Sequence, residues 1–206
     1  FTFDDGPNEW SWELAKTLHE QGVKATFFLN GNNWVNVEKD TLKTSDGEKT
    51  YMDVIKHYKD MGHQLASHTY EHRQIIGLKE ADLDFQMNKE SDIIYKAAGV
   101  RPAVMRPPTG SYDKNSLEIL KKLGYSAVNW DIDTLDWQTH DFDYETNAYK
   151  QVMDADTDDS LGHIALEHEV YEQTVKQLVP WVIKYVKSKG YEFVTVADCI
   201  GVEPYQ

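Results

Sequence analysis

The stretch SWELAKTLHEQGVKATFFLNG, Ser11 to Gly31, decides the architecture. Its first half carries apolar residues at helical spacing and ends on Gly22, a residue suited to the left-handed turn that closes a helix. Its second half, Ala25–Gly31, is a short run of β-branched and aromatic residues too compact for a second helix, and reads as a strand. The same alternation continues on both sides. Upstream, Phe1–Phe3 is the tail of a first strand. Downstream, a polar loop over Asn32–Thr50 precedes a helix near Tyr51–Met61. A third strand at His63–Ser67 and a long helix over Glu80–Gly99 follow. Ala103–Arg106 is a fourth strand, Asp113 caps a helix through Leu123, and Tyr125–Asp131 is a fifth strand. A helix near Tyr144–Met153, a sixth strand at His163–His168, a helix over Glu172–Gly190 with Pro180 inside it, and a seventh strand at Glu192–Val196 complete the chain. Strand–helix alternation from end to end means parallel strands joined by crossover helices. Seven units suggest a (β/α) barrel lacking one unit; an open doubly wound sheet is the alternative.

Composition bounds the function. The chain has 206 residues, 40% hydrophobic and 27% charged, which suits one globular domain. No run of apolar residues is long enough to cross a membrane. The formal charge of −14 repels a phosphate backbone or an anionic membrane surface, so a neutral or cationic partner fits better. The glycine-rich phosphate-binding fingerprints are absent from the sequence. Cys199 is the only cysteine. It reads either as a small buried apolar residue or as half of a disulfide whose partner lies upstream of Phe1.

Polar residues fall at informative places. Asp4 and Asp5 follow strand one, His68 strand three, Arg106 strand four, Asp131, Asp133 and Asp136 strand five, and His168 strand six. In parallel α/β folds these strand ends share one face, where active sites are built. Gly6-Pro7 turns the chain, so that both aspartates can leave the pleat toward one site. His68 and His72 reach one metal if a helical turn starts at His68. Two imidazoles and a carboxylate suit zinc or a similar divalent ion. The string His68-Thr-Tyr-Glu71-His72 also matches the inverted zinc-protease pattern, with Glu71 as the base. That reading leaves Asp4, Asp5, Arg106 and His168 without roles. His19, His57, His63, His140 and His163 read as structural.

Five ordered motifs carry a resemblance: TFDDGP (Thr2–Pro7), SHTYEH (Ser67–His72), RPPTG (Arg106–Gly110), DTLDW (Asp133–Trp137) and LEH (Leu166–His168). Together they resemble the polysaccharide deacetylases of carbohydrate esterase family 4, most of all the fungal chitin deacetylases, over nearly the whole chain. The resemblance implies a distorted, incomplete (β/α) barrel with about seven parallel strands, residues 1–206 forming a single catalytic domain. It implies hydrolytic removal of acetyl groups from N-acetylglucosamine-containing chitin or chitooligosaccharide. It assigns one divalent metal ion, zinc first and cobalt or another ion second, to Asp5, His68 and His72. Asp4 is then the general base, oriented by Arg106; His168 is the general acid, tuned by Asp136. The backbone N–H of Thr109 helps bind the oxyanion, and Trp137 and Leu166 line the acetyl pocket. The resemblance further implies a secreted, extracellular monomer and a disulfide partner for Cys199. An acetylxylan esterase on the same scaffold is the main rival. An inverted zinc protease and a non-catalytic carbohydrate-binding module, to which Trp34 and Trp137 would belong, are more remote. Two departures bear on substrate fit: Thr109 stands where the family usually has an aromatic residue, and the Asn32–Thr50 loop is long.

Overall fold

In the computed structural model, which describes residues 1–156 and 162–206, strands and helices alternate as the sequence pattern requires. In chain order they are β1 (Thr2–Asp4), α1 (Ser11–Glu20), β2 (Thr26–Leu29), β3 (Thr41–Thr44), β4 (Gly47–Thr50), α2 (Tyr51–Asp60), β5 (Gln64–Ser67), α3 (Glu80–Ala98), β6 (Val104–Met105), α4 (Lys114–Lys122), β7 (Ser126–Ala127), β8 (Ile132–Asp133), α5 (Asp136–Thr139), α6 (Phe142–Met153), β9 (Ala165–His168), α7 (Val179–Ser188) and α8 (Val196–Ile200). A single turn of 3₁₀ helix covers Pro108–Gly110, and a π-helical turn over Thr174–Leu178 runs directly into α7. Local chemistry sets the boundaries. Thr50 with Asp53 and Asp113 with Ser116 form reciprocal caps at the starts of α2 and α4. Gly99 ends α3 in the left-handed conformation at φ 72°.

Seven strands form one parallel sheet in the order β7-β6-β5-β2-β1-β9-β8. It curls into an incomplete barrel. Its two edges, β7 and β8, are joined through residues 128–131 alone, so the chain itself bridges the open seam. The strand count matches the sequence reading, but the membership differs. Glu192–Val196 is not a strand. Its end crosses the floor of the barrel instead, where Val196 N donates to Thr26 Oγ1 at 2.9 Å and Ala197 N to Gln64 Oε1 at 3.0 Å. Side chains rather than a strand edge take those N–H groups. The seventh strand is β8, and the strand expected over Tyr125–Asp131 shrinks to β7. The Asn32–Thr50 loop also departs from expectation, since β3 and β4 pair within it as an antiparallel hairpin. Its tip is tied to α1: Trp12 Nε1 and Lys16 Nζ donate to Asp46 Oδ2, and Ser45 Oγ donates to Glu13 Oε1.

The pleat positions the site. Phe3, Phe27 and Leu65 are register partners, fully buried, and point outward under the helices; Phe3 and Phe27 stack at 5.3 Å. Each such side chain contributes roughly 2–3 kcal/mol by leaving water. Their neighbours therefore point inward. Asp4 is the register partner of both Phe28 and His168, so the aspartate and the histidine face the same interior at the same height.

Candidate active site

Asp4, Asp5, His68, His72, Thr109, Trp130, Asp133, Trp137, Leu166, His168 and Tyr171 line a cavity of about 350 Å³ at the C-terminal ends of the strands. The backbone there is unusual. Asp5 (φ 71°), Thr69 (φ 68°), His72 (φ 53°) and Thr109 (φ 60°) are left-handed without being glycine. Each such conformation costs about 1 kcal/mol or more and tends to persist where a site requires it. At Asp5 it ends the pleat, so both aspartates face the cavity. At Thr69 and His72 it replaces the helical turn expected from the histidine spacing: residues 68–75 form no helix, yet the two rings lie 4.9 Å apart. Asn30 fixes this loop by donating to the carbonyls of His68 at 2.7 Å and Thr69 at 2.6 Å.

One oxygen, Asp5 Oδ1, lies 3.6 Å from His68 Nε2 and 3.4 Å from His72 Nε2. It is buried and accepts no hydrogen bond. Such an orphan is costly unless a cation completes it. His68 donates from Nδ1 to the carbonyl of Arg106 at 2.8 Å, which leaves Nε2 as the lone-pair nitrogen. Burial drives its pKa down to about 3, so the ring is neutral, as a ligand must be. Asp5, His68 and His72 therefore fit a divalent ion, and no other such group of ligand atoms occurs among the described residues. Glu71 is turned away from the cluster: it is exposed, and its carboxylate accepts from Gln86 Nε2 at 2.8 Å.

Arg106 is fully buried and ties the two sides of the barrel together. Its Nη1 donates at 2.7 Å to both Asp4 Oδ1 and Thr2 Oγ1. Nε and Nη2 donate to the carbonyls of Val128 and Asn129, in the seam between β7 and β8. Its guanidinium also stacks over Phe28, 4.1 Å from the ring centre. Arginine beside aspartate suggests a depressed carboxyl pKa. Here burial outweighs the guanidinium, and the Asp4 pKa is raised.

His168 stands beside Asp4 on the neighbouring strand and lines the same cavity. Its Nδ1 donates to Asp136 Oδ1 at 2.7 Å, and its backbone N–H to Asp136 Oδ2 at 2.8 Å. Burial works against the imidazolium, but the Asp136 hydrogen bond and charge outweigh it and raise the pKa to about 9. Trp137 is half exposed and Leu166 is buried; both line the cavity. Asp133 lines the cavity. Asp131, grouped with it from sequence, does not: it pairs with His163 at 2.5 Å and accepts from Ile164 N. Tyr171 was missed, although it follows His168 by only three residues; its ring lies 5.9 Å from that of His168 and edge-on to the exposed Trp34 at 6.2 Å. Cys199 is an exposed free thiol on α8, against the buried reading: the helix is short, and its inward residues are Val196 and Ala197.

The fold and this cavity place the chain among incomplete (β/α) barrels that carry an Asp-His-His ligand set at the strand ends. It superposes on the solved chitin deacetylase of Colletotrichum lindemuthianum with a TM-score of 0.87 at 33% identity, covering 100% of this chain and 89% of that one. The chain belongs to the polysaccharide deacetylase family, whose model matches residues 1–128. Among curated relatives, a chitin deacetylase of Pestalotiopsis sp is 38% identical over 97% of this chain, and the Colletotrichum lindemuthianum chitin deacetylase 34% identical over 98%. The chain spans 62% of the length of the first and 79% of the second.

Proposed function

We propose that residues 1–206 form one catalytic domain that removes acetyl groups from N-acetylglucosamine units of chitin or its oligomers. The supporting observation is the convergence of two charge pairs on one cavity: Asp4 held by Arg106 and, on the neighbouring strand, His168 held by Asp136, with Asp5, His68 and His72 adjoining them. Asp4 accepts a proton from the attacking water; its raised pKa makes it a better base than a surface aspartate, and Arg106 holds it in place. A divalent ion, zinc being one that two imidazoles and a carboxylate suit, would supply Lewis acidity toward the acetyl carbonyl and the water. The Thr109 N–H meets the developing oxyanion. Trp137 and Leu166 enclose the acetyl methyl. His168, protonated below about pH 9, donates from Nε2 to the departing amine, which leaves poorly without that proton. The acetylxylan esterase reading is weaker, because the relatives above are named as chitin deacetylases. A protease role for Glu71 conflicts with its tie to Gln86. A secreted monomer is the form we propose, since the polymer substrate is extracellular in character and, among the described residues, no helix is long and apolar enough to cross a membrane.

The test is a series of chitin oligomers assayed for free amine, beside acetylated xylan assayed for acetate. Release from the oligomers with little from xylan is expected; the reverse would transfer the reading to the esterase.

A further inference from the structure

An ionised carboxylate offers about four acceptor sites. Asp136 is fully buried, and the chain fills all four. Oδ1 accepts from His168 Nδ1 at 2.7 Å and from Trp137 N at 2.9 Å; Oδ2 accepts from His168 N at 2.8 Å and from Thr174 Oγ1 at 2.9 Å. Three of these donors belong to His168 itself or to the residue next to Asp136. The Thr174 hydroxyl is the one donor among the four that comes from neither His168 nor the residue next to Asp136, so it holds Oδ2 independently of the histidine that the carboxylate orients.

The local sequence explains its position. Within a regular helix a threonine hydroxyl tends to bond a carbonyl of the preceding turn. Here Thr174 opens a π-helical turn, closed by Val179 N–H on the Thr174 carbonyl, immediately before Pro180. Proline has no N–H for the carbonyl one α-turn back, and a widened turn accommodates that loss. In this turn Thr174 is fully buried and its hydroxyl is spent on Asp136, while its neighbour Gln173 donates to Glu145 Oε2 on α6 at 2.7 Å.

We infer that Thr174 is a positioning residue for amide cleavage: its hydroxyl locks the Asp136 carboxylate in the plane that aims His168 into the cavity. The inference rests on the reading of His168 as general acid. Without the hydroxyl, a buried charged oxygen loses one of its two donors. The carboxylate then turns, or takes the imidazole proton, and in either case the departing amine lacks a well-aimed donor. Water activation by Asp4 is untouched.

Thr174→Val keeps the shape and removes the donor; Thr174→Ser restores it. The measurement is kcat/KM on a chitin oligomer and on 4-nitrophenyl acetate, whose leaving group needs no proton, for both variants and for His168→Ala in metal-loaded enzyme, with melting curves alongside. In Thr174→Val, loss of about tenfold or more on the amide is expected, with the aryl acetate changed by less than about twofold and most of the amide rate recovered in Thr174→Ser. A packing role alone would lower both substrates together and leave their ratio unchanged. If His168→Ala splits the two substrates and Thr174→Val does not, the positioning role is overturned and the acid stands. If His168→Ala lowers both equally, the acid reading falls and this inference with it.

Discussion

At the scale of single residues, the cavity separates ligands from bystanders. His72 presents Nε2 to the orphaned Asp5 oxygen, whereas Glu71, its immediate neighbour, binds Gln86 on α3. His72→Ala is therefore expected to lose bound metal, measured as stoichiometry after dialysis against buffered zinc, and activity with it. Glu71→Gln is expected to retain both to within about threefold, as surface substitutions usually do. Equal loss in the two variants would return Glu71 to the chemistry. The proposed acid, His168, has its own signature. Because the His168 pKa is raised to about 9, the donor is present below that value and is lost as pH rises through it. The amide kcat/KM should accordingly fall above about pH 9, and Asp136→Asn should move that falling limb toward neutrality. A limb that stays in place in Asp136→Asn would separate the two residues. The motif residues were legible in the sequence because chemistry restricts their types and the strand ends restrict their places. Tyr171 and Thr174 were not, since a tyrosine and a threonine after a strand carry no restriction until the fold turns the first toward His168 and the second toward Asp136.

At the scale of elements, helices were read well and strands unevenly. Helices of ten residues and more announce themselves through periodicity and caps, as α1, α2 and α3 do. The pair β7 and β8 has two residues each, too few for any alternation to register. The segment Glu192–Val196 alternates like a strand but finds only side-chain partners at the barrel floor. The β3–β4 hairpin was missed although its Asp46-Gly47 is a recognised turn signal. The turn after β1 invites a sharper test. A Cβ on Gly6 would come within 1.6 Å of Glu169 Oε1, and that carboxylate is held by Ser11 and Tyr58. It cannot yield easily, so the turn carrying Asp4 and Asp5 would have to move. Gly6→Ala should cost about 1–3 kcal/mol or more in urea unfolding, as overpacking does, and weaken zinc binding. Gly22→Ala, with open space around its Cβ, should cost about 1 kcal/mol and leave zinc binding alone. Equal effects of the two would remove Glu169 as the obstacle.

At the scale of the whole molecule, the fold buries carboxyls that most proteins would leave in water. Glu90, Glu167 and Glu169 are all fully buried with raised pKa values, and Glu167 and Glu169 flank His168. For Glu169 burial is the largest cause, and Asp4 and Asp5 add to it, giving about 7; the Ser11 and Tyr58 hydroxyls work in the opposite direction. The sign follows from linkage. The unfolded glutamate ionises near pH 4.3, the folded one near 7, so the folded chain holds an extra proton in between and stability falls as pH rises across that window. The contribution is on the order of 3 kcal/mol. Glu169→Gln should flatten the dependence of unfolding free energy between about pH 5 and 7 relative to the unaltered chain; an identical slope would show that the proton sits elsewhere. None of this burial was readable from composition, because a −14 chain looks like a chain whose acids are all solvated.

Arg106 holds Asp4 through one nitrogen and the seam carbonyls of Val128 and Asn129 through the other two. On the proposed reading, one side chain thus serves both the reaction and the closure of the barrel. A lineage drifting toward a different proposed base at position 4 would still need donors for the seam carbonyls, and one drifting toward a different seam would still need a partner for the aspartate. Single replacements of Arg106 lose on both counts at once, so mutational routes away from this chemistry must pass through paired changes. The arginine constrains how this site can evolve as firmly as it constrains where the aspartate points.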